Sequence, residues 1–76
     1  MGKSKRLRIL IKKARRGNRF AMYRVGIRYQ LGKDLPLDMI KAAEWIFASA
    51  ELGHAPAIEW INDYCFDDDS GVQANS

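Results

Sequence analysis

The chain has 76 residues and a formal net charge of +4, from 13 Lys and Arg against 9 Asp and Glu. That length holds one small domain with a thin core and excludes a large enclosed active site. The 47% hydrophobic and 11% aromatic fractions exclude a disordered chain.

Hydrophobic spacing and stop signals predict four helices in chain order. Ser4 can cap the first, where Leu7, Leu10, Ile11 and Ala14 form one stripe before Gly17 ends it. Asn18 can cap the second, with Ala21, Val25 and Tyr29 four apart and Gly32 at its end. The turn-rich link Lys33-Asp34-Leu35-Pro36-Leu37 leads to Asp38, a good cap for a third helix. That helix sets Met39, Ala43, Ile46 and Ala50 on one stripe and stops at Gly53. A fourth begins near Pro56, which suits a first helical turn, and carries Ala57, Ile61 and Cys65. No period-two run competes, so the expected fold is all-α. Residues 1–66 form the expected helical domain, and the acidic, then small and polar residues 67–76 form an expected disordered tail.

The termini and the cysteine narrow the function classes. The apolar run Ile9-Leu10-Ile11 is too short for a signal-peptide core and is followed by Lys12-Lys13. No segment approaches the roughly 18 apolar residues of a membrane span. Gly2 fails as a myristoylation site, because Arg6 stands where Ser or Thr is needed. A soluble, cytoplasmic protein is expected. Cys65 is the only cysteine and His54 the only histidine, so neither a disulfide, a metal site nor a Cys-His nucleophilic pair is supported. Cys65 reads as a small buried hydrophobe and His54 as a turn residue. Neither enzymatic activity nor a cofactor is expected.

Sliding the sequence by 36 positions aligns core and punctuation together. Ala14 falls on Ala50, Gly17 on Gly53, Ala21 on Ala57 and Val25 on Ile61, while Leu10 meets Ile46 and Ile11 meets Phe47. A period of this length indicates helical hairpins that bury a face only by stacking on neighbours. The positions Ala21, Val25, Gly26, Tyr29, Gly32, Leu35, Asp38, Lys41, Ala42, Trp45, Ala50, Glu51, Gly53 and Ala57 resemble, without a gap, the pattern of the Sel-one-like repeats, relatives of the tetratricopeptide repeats. The resemblance covers residues 21–57 as one full repeat, flanked by the end of a preceding repeat at 5–17 and the beginning of another at 57–65. Asp34 replaces the family's second turn glycine, and Ser49 the first of its paired alanines. The resemblance implies a short α-solenoid of about four antiparallel helices that serves as an interaction scaffold without catalytic chemistry.

Charge and repeat position nominate two sets of binding residues. In such solenoids the first helix of each hairpin usually lines the binding surface, as the resemblance implies. Here Arg24 and Arg28 recur after 36 residues as Trp60 and Tyr64. These four either form a platform for a protein or peptide partner, or Arg24 stacks on Trp60 within the fold. The second set is Lys12, Lys13, Arg15, Arg16 and Arg19, within a stretch of residues 1–33 that holds twelve cations and no acid. Residues 34–76 hold Lys41 against all nine acids. The basic set suits nucleic acid or another polyanion as the alternative to an acidic protein. The acidic fourth helix and tail also complement the basic first helix, which predicts self-association of the open solenoid ends or pairing with a partner.

Overall fold

The computed structural model describes residues 5–65, and they form four helices: α1 (Lys5–Arg15), α2 (Arg19–Leu31), α3 (Met39–Glu51) and α4 (Ala55–Cys65). Among the described residues there is no strand, and the fold is all-α. The expected Ser4 cap and the tail at 67–76 lie outside the described residues, as does the side chain of Cys65.

Local chemistry sets the helix ends. The Asn18 side chain accepts a hydrogen bond from the Ala21 N–H at 3.1 Å, and Asp38 accepts from the N–H groups of Ile40 and Lys41, both at 3.0 Å. Each bond satisfies a donor that the first turn of a helix leaves without an intrahelical partner. Gly32 ends α2 in the left-handed region at φ 66°. Asp34 adopts that region too, at φ 63°, where the resemblance would place glycine.

The two links between hairpins are copies of one another. The N–H of Gly17 donates to the Ala14 carbonyl at 3.0 Å, and that of Gly53 to the Ala50 carbonyl at 2.8 Å. The N–H of Asn18 donates to Lys13 at 3.1 Å, and that of His54 to Ser49 at 3.3 Å. Both glycines are left-handed, at φ 97° and φ 88°. The core duplicates in the same register. One cluster joins Ala14, Ala21 and Val25 to half-buried Leu10; the other joins Ala57 and Ile46 to half-buried Ala50 and Ile61. Each member of the second set stands 36 residues after a member of the first.

Packing runs along the chain, α1 on α2, α2 on α3 and α3 on α4, with the largest interface between α2 and α3. That interface is close because Gly26 is buried against Ile46 and the Ala42 carbonyl. The buried line of α3 is Ala42, Ile46 and Ser49, with Ala43 and Ala50 half-buried beside it. Met39, expected on the stripe, is 43% exposed, since the buried line of Ala42, Ile46 and Ser49 is centred about 50° from it around the helix. Ser49 donates its Oγ–H to the Arg19 carbonyl at 2.7 Å. That bond satisfies a buried hydroxyl and ties the C-terminal part of α3 to the start of α2.

Candidate functional site

Two open grooves flank α2. The larger, of about 910 Å³, lies between α1 and the face formed by α2, α3 and the Lys33–Leu37 link. Its rim is Lys5, Arg8, Lys12 and Arg15, spaced three and four residues apart and so on one face of α1. Its floor is Ile11, Val25, Tyr29, Leu35 and Trp45. The smaller groove is lined by Arg6 and Leu10 of α1 and by Tyr23, Arg24, Ile27 and Arg28 of α2. The described residues contain one ion pair, Arg28 to Asp34 at 2.7 Å, so the four rim cations carry no paired acid there.

The residues nominated from the sequence separate between surfaces. Arg24 is exposed in the smaller groove, and Arg28 beside it is held by Asp34. Trp60 is 7% exposed and stacks on Tyr64 with ring centroids 4.6 Å apart and planes 19° from parallel. Its Nε1–H donates to Gln30 Oε1 at 2.9 Å, and Gln30 Nε2 donates to the Tyr64 hydroxyl at 3.2 Å. The stacking partner of Trp60 is therefore Tyr64, in place of the Arg24 that repeat position suggests. Trp60 and Tyr64 line a third, shallow groove between α2 and α4, whose other wall again includes Tyr23 and Ile27. Tyr23 and Ile27 thus form a ridge on α2, with Arg24 and Arg28 on one side and the α4 aromatics on the other.

Of the basic set, Lys12 and Arg15 face the larger groove, while Lys13, Arg16 and Arg19 are exposed outside it. The Arg19 guanidinium lies over the Phe20 ring at 5.2 Å. Lys5 and Arg8, part of the basic first helix read from the sequence though outside the nominated set, also line the larger groove, with Tyr29 and Trp45, which sequence reasoning missed as site residues. The signal that could have nominated the two cations is their three-and-four spacing on α1.

His54 is buried, with its ring edge-on to Phe20 at 4.9 Å and to Tyr23 at 5.3 Å. His54 packs at the second link, whereas Asn18, its counterpart 36 residues earlier, is exposed and caps α2. Among the described residues no group of three or more His, Cys, Asp or Glu could hold a metal ion. No helix among them is long and apolar enough to cross a membrane. Compared with family models, with curated proteins and with solved structures, the chain matches none.

Proposed function

We propose that the chain is a protein-interaction module, an adaptor or scaffold of Sel-one-like repeats, which binds an acidic amphipathic segment of a partner protein and performs no chemistry on it. The observation that carries the reading is the larger groove, in which four cations free of acidic partners among the described residues rim an apolar floor. The duplicated links and core support the repeat assignment. A reducing, cytoplasmic setting suits a chain with a single cysteine.

The energetics favour a partner with both features. Like charges three or four apart on a helix cost a few tenths of a kcal/mol per pair, and α1 carries several such pairs. Carboxylates on a partner relieve that repulsion. Apolar anchors on the partner add about 1.5–3 kcal/mol for each large side chain fully buried on the floor. A polyanion such as nucleic acid is the second reading, favoured by exposed Lys13, Arg16 and Arg19 around the groove. Phosphates gain nothing from Ile9 and Ile11, the aliphatic side chains of the groove that are open to solvent, which is why the peptide reading ranks first.

Fluorescence anisotropy separates the two. A labelled helical peptide with Glu on one face and Leu on the other should bind, and its Leu→Ser version should bind at least about tenfold more weakly. Trp45→Ala should reproduce that loss. Single-stranded DNA binding as tightly as the Leu peptide, or Leu→Ser substitution without effect, overturns the reading.

A further inference from the structure

We infer that the smaller groove takes α4 of a second copy of this chain, so that copies stack head to tail in the 36-residue register of the fold. The inference rests on the interaction-module reading and names one partner and one surface for it. Within the chain, α4 stands to α2 as a second copy's α2 would stand to α4, and α3 stands to α1 as the second copy's α1 would stand to α3. Every contact across the joint can therefore be read from a contact already seen, with residue numbers advanced by the repeat.

Inside the chain, Tyr23 and Ile27 of α2 share a groove with Trp60 and Tyr64 of α4. Across the joint, Glu59 and Asp63 take the places of Tyr23 and Ile27, and the second copy's Arg24 and Arg28 take the places of Trp60 and Tyr64. An aromatic and aliphatic seam within the chain thus becomes a seam of two carboxylates against two guanidiniums between copies. Glu59, Asp63 and Arg24 are exposed, with no ion pair among the described residues, whereas Arg28 already pairs with Asp34, so Arg24 is the guanidinium the joint engages first. Arg24 holds the place of Trp60, a nearly buried residue against which α2 packs, so it stands at the centre of the joint.

The apolar side chains agree. Ile11 of α1 and Trp45 of α3 both pack against the first core cluster and both line the larger groove. Their counterparts across the joint are Phe47 and the second copy's Ile9, which are 43% and 50% exposed in the single chain, Ile9 at the edge of the larger groove as well. Two large apolar side chains on different helices, each left half in water, fall opposite one another in this register. The joint is looser than the α2–α3 contact, because Asn62 stands where Gly26 permits that close approach. Ionic contacts and a looser core make an association that strengthens at low salt.

Sedimentation equilibrium of the full chain at low ionic strength, with circular dichroism to verify helicity, tests the joint. The wild type should gain mass with concentration and lose that gain in about 0.5 M salt. Arg24→Glu alone, and Glu59→Arg with Asp63→Arg, should each weaken self-association about tenfold or more. Mixing the two variants one to one should restore it, because each supplies the charge that the other has reversed; a variant that merely misfolds cannot be rescued this way. A wild type monomeric at all concentrations, variants that associate as before, or a mixture that stays monomeric overturns the inference. Acidic-peptide binding by Arg24→Glu, read separately at Trp45, should be unchanged, and its loss in wild type and variant alike would instead overturn the peptide-binding reading.

Discussion

A Cβ added at Gly26 would lie 2.5 Å from Ile46 Cγ1 and 2.9 Å from the Ala42 carbonyl oxygen. The isoleucine can turn, but the backbone oxygen belongs to α3 and moves only if the helices separate. Overpacking of this kind costs about 1–3 kcal/mol. In an open helix interior the same substitution would gain up to about 1 kcal/mol from the better helix propensity of alanine. Gly26→Ala should therefore destabilise the fold, lowering the urea midpoint at nearly constant slope. Gly17 has a different reason to be glycine, since a Cβ there would meet nothing within 4 Å but the residue's φ is 97°. At one site the neighbour excludes a side chain; at the other the backbone does. Ser49 and Gln30 make a third kind of residue-scale decision, because each polar group is matched to one across an interface, at Arg19 and at Trp60 with Tyr64. Trp60 can only donate, so the Gln30 oxygen faces it and the amide nitrogen remains for Tyr64.

At the scale of the element, α1 is built against its own charge. Lys12, Lys13 and Arg15 in its last turn complement the helix dipole, but the first turn holds no acid. Arg8→Glu would set a carboxylate three residues after Lys5 and four before Lys12, removing repulsion and adding attraction. It should raise stability by about 0.5–1 kcal/mol in urea unfolding while weakening acidic-peptide binding in anisotropy. If both properties fall together, the charge of α1 is structural. The helix boundaries were legible from sequence because their causes are local: Asn18, Asp38 and Gly32 act within a few residues of themselves. The rotation of α3 was not. Met39, Ala43, Ile46 and Ala50 do share a stripe, but the face that is buried depends on Gly26, thirteen or more residues away, admitting Ala42 and Ile46. The burial of His54 against Phe20 and Tyr23 and the bridging role of Gln30 were hidden for the same reason, since both join helices about 30 residues apart. The α2 stripe was legible only in part. That helix meets α1, α3 and α4, so apolar residues surround it and no single face stands out.

Across the whole molecule, the 36-residue register unites features that are separate along the chain. The paired links, the paired core clusters and the two sets of positions at Arg24 and Trp60 are one arrangement used twice. The two uses differ in what faces the neighbour, aromatic on α4 and cationic on α2, which is how a charge separation in sequence becomes two unlike ends of a stack. Each of the two seams also holds one tryptophan: Trp45 packs at the first core cluster and Trp60 in the second. In stacked repeats stability is roughly a sum over neighbours, so the seams need not open together. With Trp45→Phe or Trp60→Phe leaving one indole at a time, the Trp60 emission should change at lower urea than the Trp45 emission, because α4 packs on the rest through a smaller interface than α2 and α3 share. Coincident curves would mean a single cooperative unit. The protein thereby carries a built-in pair of optical reporters, one for each seam, and the order in which its layers come apart can be timed without attaching a dye.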